Sequence, residues 1–178
     1  MRHVFAEDLD MIREDNPVIN YQYMKSNVDM LQIIQLGFSL SYAWGNLLDF
    51  YSPFSYVWEF NFRDFNINRD RYASDSIELL KRQGIDFEKN KEKGIDSKNF
   101  AKFWDYGLVF NCHGLKSITW ITFHGTYDFG FMLKIITQSP LPLHLDSFVH
   151  QLAYFFGYSI YDLKHTFKFL GLLGGLEK

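Results

Sequence analysis

Cysteine is nearly absent from this chain. Cys112 stands alone among 178 residues, so no internal disulfide can form and no disulfide-linked partner is expected. Proline is scarce, with four residues, and no Pro-rich linker, low-complexity tract or internal repeat marks a boundary. No apolar run approaches the roughly 20 residues of a membrane span. Residues 1–15 carry Arg2, His3, Glu7, Asp8, Asp10 and Arg13, which is not the pattern of a signal peptide. An excess of one charge is also missing. Eighteen Lys and Arg against 21 Asp and Glu leave a net charge of -3, so any nucleic-acid contact must be local. These absences point to a reducing compartment, cytosol or nucleus, with no membrane partner.

Aromatic residues are abundant. Nineteen Phe, 11 Tyr and 4 Trp make up 19% of the chain, within a hydrophobic fraction of 47%. Each buried ring removes roughly 150–250 Å² from water, so a core rich in rings is expected. The length fits one domain over residues 1–178.

Local pattern predicts a helix over 4–14, an apolar strand over 31–40 with a bulge at Gly37, and a strand over 56–62. Gly45-Asn46 and Ser52-Pro53 mark a hairpin-like connection between the two strands. Asp75 and Glu78 form a capping-box pattern for a helix stopped by Gly84. Asp86 caps a short segment ending near Gly94, and Ser97 caps a helix over 99–106 that ends at Gly107. Lys81, Arg82, Lys89, Lys91, Lys93, Lys98 and Lys102 lie there among Glu78, Glu88, Glu92 and Asp96. They read as a solvated mixed-charge surface or as a substrate-facing ridge. A third strand spans 117–123, followed by helices over 127–137, 146–156 and 162–170. Strands first and helices after give an α/β or α+β class.

Chemistry is sparse. One Cys and six dispersed His residues give no zinc spacing, and the glycines at 171–175 lack the Lys-Ser/Thr ending of a phosphate loop. Asp128 follows the third strand, where side chains of open α/β folds meet ligands. With His124 four residues earlier, one helical turn would present both to a cleft, the carboxylate to a hard cation and the imidazole to phosphate. The alternative is that Asp128 only favours the helix N-terminus and His124 is a satisfied buried polar group. Asp162 opens a helix and reads as its N-cap, Asp29 as helix surface and Glu59 as strand alternation.

Longer phrases carry a resemblance. KSNVDMLQIIQLGFSLS (25–41), VWEFNFRDF (57–65), DSIELLKRQGIDFEKNKEKGID (75–96), TFHGTYDFGFMLKIIT (122–137), IYDLKHTFKF (160–169) and GGL (174–176) occur in this order. Together they resemble the Caf/Pop-type deadenylase subunit of the Ccr–Not complex, and RQGIDFE is closest to plant-like members. The resemblance implies a ribonuclease H-like α/β fold of the DEDD class, a mixed sheet flanked by helices. It implies a poly(A)-specific 3′-5′ exoribonuclease that shortens mRNA tails with two divalent ions, Mg²⁺ or Mn²⁺. One ion activates water and the other stabilises the leaving 3′ oxygen. Poly(A) RNA, a Not scaffold subunit and a Ccr-type nuclease are the implied partners, in nucleus and cytoplasm. Asp128 matches the family's second-motif metal carboxylate and is thereby the catalytic and metal residue. His124 is the substrate-contact candidate. Asp162 matches a family Asp at a helix start, with no metal role carried over.

The chain also departs from the family. The Asp-Thr-Glu-Phe strand expected before Lys25 is missing, and the sequence stops at Lys178 before the third motif. One of four metal carboxylates is identifiable. The missing strand is central in this fold class, so the sheet is expected to be incomplete, with an empty slot beside 31–40 and 117–123 unless residues 19–23 fill it. The alternative function is a catalytically inactive paralogue or splice form acting only as a Ccr–Not binding module.

Overall fold

The structure, a computed structural model, describes residues 16–104, 118–164 and 166. Gln32–Ser97 form one compact unit, and the described residues on either side form another. The elements run α1 (Pro17–Met30), β1 (Gln35–Ser39), β2 (Val57–Asn61), α2 (Ser74–Arg82), α3 (Phe87–Lys93), α4 (Ser97–Phe103), β3 (Trp120–Thr122), α5 (Thr126–Thr137), α6 (Leu145–Phe156) and β4 (Ile160–Asp162). Among the described residues, no helix is long and apolar enough to cross a membrane. The expected helix over 4–14, Cys112 and the glycines at 171–175 lie outside the described residues, as does the end of α4 expected at Gly107.

Residues 19–23 do not supply a strand. They lie inside α1, because Pro17 sits in its first turn and the Asn16 side chain accepts from Val18 and Ile19 N–H. Tyr21, Met24 and Val28 then share one buried stripe, the three-to-four spacing of a helix face. The stripe meets α5 at Gly130, where an added Cβ would stand 2.9 Å from Met24 Sδ and 3.1 Å from Val28 Cγ2. A larger residue there would force the Met24 thioether and the Val28 methyl to shift. Behind it, Phe156 of α6 packs edge-on against Trp120 and Phe129, at 5.4 and 5.2 Å between ring centroids. Trp120 also stacks on Trp104 at 5.8 Å and donates its indole N–H to the Phe156 carbonyl. The expected ring-rich core is present in this unit.

Tyr21 is buried and its hydroxyl donates to the Pro142 carbonyl. Burial, reinforced by the Asp29 charge, pushes its pKa up to about 12 from 10.0. The phenol therefore holds its proton in the folded chain where the unfolded chain releases it. Its stabilisation is full below the ordinary tyrosine value and is lost as pH rises towards 12. Chemical denaturation across this range is expected to show an alkaline fall in stability that is shallower in Tyr21→Phe.

In the second unit β1 and β2 pair antiparallel, Gln35 with Asn61 through Ser39 with Val57, in an unbroken register. Gly37 faces Glu59 directly, so the expected bulge is absent. β1 is shorter than 31–40 because Leu31 ends α1, its N–H bonded to the Asn27 carbonyl. The core beneath is Phe65, Ile77 and Phe87, with Ile34, Ile67, Leu80 and Ile85 packed against it. Asp86 caps α3 as expected, accepting from Lys89 N–H. Asp75 does not cap α2: the helix starts two residues earlier than that cap implies, with Ala73 at the cap and Asp75 in the first turn. There its charge still favours the N-terminus. Lys81 and Arg82 close α2, and Lys91 and Lys93 close α3, where cations complement the carbonyl ends of helices.

Candidate functional site

The candidate site forms where the parallel pair β3 and β4 ends. Trp120, Ile121 and Thr122 pair with Ile160, Tyr161 and Asp162. Parallel strands end on the same side, so the residues after Thr122 and the side chain of Asp162 meet. β3 stops at Thr122, because the chain turns at His124, whose φ is +62°. Left-handed backbone at a non-glycine residue carries strain of order 1–3 kcal/mol and needs support from its surroundings. Asp162 supplies that support. Its Oδ1 accepts from His124 N–H and its Oδ2 from Gly125 N–H, each at 2.9 Å. Oδ1 also accepts from Lys164 N–H at 2.9 Å, the N-cap contact expected from sequence. The residue itself closes β4, and helical residues begin after it. The helix expected from 162 thus starts one residue later.

Gly125 is the N-cap of α5, and a Cβ there would lie 2.4 Å from Thr122 Cβ. This glycine lets the turn close against the strand. Asp128 is then the acidic residue of the first turn of α5. Its surface is exposed at the helix end, yet the surrounding protein displaces enough water to hold its carboxyl above the ordinary range. Asp162 adds to that rise, and His124 opposes it. A raised folded pKa means that the protonated carboxyl favours the fold, so this contribution is lost as pH rises through the carboxylate range. Thermal melts against pH are expected to show that fall in the wild type and a flatter profile in Asp128→Asn.

His124 is exposed rather than a buried satisfied group. Its Nδ1 lies 3.3 Å from Lys164 Nζ, which places a cation beside the imidazole. The Lys164 ammonium beside His124 and the Asp162 bonds to His124 and Gly125 escape the sequence reading, because both depend on β3 lying beside β4. The Asp162-Leu-Lys164 spacing is their only sequence trace. Asp29 is not simply helix surface: it pairs with Lys25 and its Oδ1 accepts from Leu141 N–H at 2.8 Å. Glu59 is exposed on β2, as strand alternation predicted.

The chain has similar relatives of known kind. It is 46% identical over 165 residues to the probable CCR4-associated factor 1 homolog 10 of Arabidopsis thaliana, covering 92% of this chain and 58% of the relative. It is 43% identical over 151 residues to the poly(A) ribonuclease pop2 of Schizosaccharomyces pombe, covering 84% of this chain and 42% of that one. The chain belongs to the CCR4-associated factor 1/Pop2 family. No protein-family model matches it. Among solved structures it resembles S. pombe Pop2p in its Mg²⁺- and Mn²⁺-bound form, with a TM-score of 0.79 and 39% identity, over 93% of this chain and 63% of that chain. It also resembles a structure of the yeast NOT1 MIF4G domain co-crystallized with CAF1, with a TM-score of 0.64 and 34% identity, over 85% and 55% of the chains. The α/β class and the ribonuclease H-like likeness expected from sequence therefore hold. This member spans less than two thirds of the length of each of these relatives.

The described residues do not by themselves fit a divalent ion. Three backbone N–H groups occupy most of the acceptor positions of Asp162, which leaves Asp128 as the less engaged of the two carboxylates. Among the described residues, no group of three His, Cys, Asp or Glu side chains gathers to hold a metal. A hard cation takes six or more oxygens.

Proposed function

We propose that this CCR4-associated factor 1/Pop2 member is a poly(A)-specific 3′-5′ exoribonuclease unit of the Ccr–Not complex, with residues 1–178 serving as one deadenylase domain. The observation that carries this reading is the placement of Asp128 in the first turn of α5, beside the ends of β3 and β4. That position follows strand ends where ligands meet open α/β sheets, inside the segment whose wording matches the family. The name of the S. pombe relative, a poly(A) ribonuclease, supports poly(A) RNA as substrate. The Mg²⁺ and Mn²⁺ of the Pop2p structure support a divalent cofactor, towards which this chain contributes Asp128. His124, with Lys164 beside it, is the proposed contact for substrate phosphate. The NOT1 and CAF1 pairing in the yeast structure supports a Not scaffold partner. A Ccr-type nuclease as second partner, and residence in nucleus and cytoplasm, complete the proposal.

A second reading is a binding module of the same complex without catalysis. The lack of a gathered three-ligand group among the described residues favours it. One assay separates the two. The purified chain is incubated with RNA ending in oligo(A) and Mg²⁺ or Mn²⁺, beside EDTA and Asp128→Ala controls. Shortening from the 3′ end that both controls abolish establishes the enzyme. A cooperatively folded chain that shortens nothing but binds a Not scaffold domain, equally well as Asp128→Ala, establishes the module.

A further inference from the structure

Two Ser-Pro pairs occur in the chain, Ser52-Pro53 and Ser139-Pro140, and no Thr-Pro pair. They lie in different surroundings. Ser52 sits in a loop over residues 49–55, closed by the Leu48 carbonyl, which accepts from Tyr56 N–H at 3.1 Å. Tyr51, Pro53, Phe54 and Ser55 are exposed. Among the described residues, the hydrogen bonds and ring contacts of 49–56 run only to residues 48–58. Asp49 Oδ1 accepts from Tyr51 N–H at 3.0 Å. The Ser52 hydroxyl accepts from Phe54 N–H at 3.2 Å and lies 3.0 Å from the Tyr56 hydroxyl. Phe50 and Tyr51 both have left-handed backbone, with φ of +49° and +61°, which is strained for aromatic residues. A loop closed by its own bonds and strained at two residues opens locally at low cost.

Ser139 is exposed too, but the segment after it is pinned. Leu141 is buried, its N–H is held by Asp29 Oδ1 at 2.8 Å, and the Pro142 carbonyl accepts from the Tyr21 hydroxyl. A kinase must draw several residues on either side of its target into an extended groove. Around Ser52 that breaks only bonds within the loop. Around Ser139 it would pull Leu141 from the core. Pro53 selects the class of enzyme. Having no N–H, it suits a pocket that offers no acceptor, and it biases Ser52 towards extended backbone. From Gln32 to Phe62 the chain has no Lys, Arg or His, so a kinase that reads basic neighbours finds none here.

We propose that Ser52 is a phosphorylation site for a proline-directed protein kinase, and that its phosphate opens the 49–55 loop. The Ser52 Oγ attacks the γ-phosphorus of ATP. The new O–P bond forms as the bond to the β-phosphate oxygen breaks, ADP leaves, and the hydroxyl proton passes to a carboxylate of the kinase. Phosphoserine carries about −1.5 to −2 charges at pH 7. That charge would stand in the same turn as the Asp49 carboxylate, on an oxygen 3.1 Å from the Phe54 carbonyl. No cation between 32 and 62 offsets it, and like charge without a counter-ion disrupts the local structure. Phe50 then leaves Tyr56 and Trp58, which its ring meets edge-on at 5.5 and 6.0 Å.

The test incubates the full chain with ATP, Mg²⁺ and an active mitogen-activated protein kinase, a proline-directed class, and maps phosphate by fragment mass spectrometry. Phosphate is expected on Ser52 of the unaltered chain and not on Ser139. Pro53→Ala should slow incorporation about tenfold, the scale on which one apolar pocket discriminates. Amide hydrogen exchange on the phosphorylated chain reads the loop. The Tyr51, Phe54 and Tyr56 amides should exchange about tenfold faster, the scale of one lost hydrogen bond, while β2 keeps its rate. Mapping and exchange both use the unaltered chain, so neither depends on a variant's folding. No phosphate on Ser52, equal phosphate on Ser139, undiminished incorporation in Pro53→Ala, or unchanged exchange in the loop would overturn the proposal.

Discussion

Lys134→Met will lower the unfolding free energy by about 2–4 kcal/mol, the scale of losing charge-assisted bonds at a helix C-terminus. The Lys134 ammonium, part-buried on α5, donates to the Val28, Asp29 and Leu31 carbonyls at 2.9, 3.1 and 2.8 Å. These carbonyls end α1, which has no basic residue of its own in its last turn. One side chain thus complements the dipole of a helix from which it is more than a hundred residues distant in sequence. Methionine keeps the apolar stem and removes only the donor, leaving part-buried acceptors without it. Urea denaturation of the wild type and the variant reads the difference. A loss below about 0.5 kcal/mol would mean that water replaces the ammonium at no penalty.

Asp162→Ala should have a comparable effect on stability, about 2–4 kcal/mol for a carboxylate that serves several N–H groups, with a more local consequence. The substitution frees the His124, Gly125 and Lys164 amides together. The positive φ at His124 then loses its support, and the first turn of α5 is no longer held to the end of β4. Amide hydrogen exchange at His124 and Gly125 is expected to accelerate well beyond that of the α5 interior. Asp162→Asn, with one oxygen acceptor, should fall between wild type and Ala. Exchange unchanged in Asp162→Ala would show that the turn is fixed by other contacts, such as the Gly125 approach to Thr122.

Features decided by neighbours in sequence are legible in the sequence itself. Asp86 as a cap, Gly84 as a stop and α5 beginning beside Asp128 all follow from a few adjacent residues. Features decided across the chain were not. Residues 19–23 look strand-like in isolation, but Asn16 and Pro17 start a helix whose stripe needs Gly130, far along the chain. The Asp75 pattern is a sound cap signal, displaced here because the helix extends back to Ser74. At the site, Asp128 was visible through its place after an apolar strand. The Asp162 contacts to His124 and Gly125 were not, since no periodicity reports which strand lies beside which. The left-handed backbone of His124 was not legible for the same reason: it is held by a residue 38 positions away.

Titration of the full chain with Mn²⁺, following the free-ion signal by electron paramagnetic resonance, tests most directly whether Asp128 is this chain's metal carboxylate. One carboxylate without gathered partners predicts a weak site, with Kd about 1 mM or higher, that disappears in Asp128→Asn and persists in Glu59→Gln. Mn²⁺ binding of unchanged strength in Asp128→Asn would contradict the account and place the cation elsewhere in the molecule.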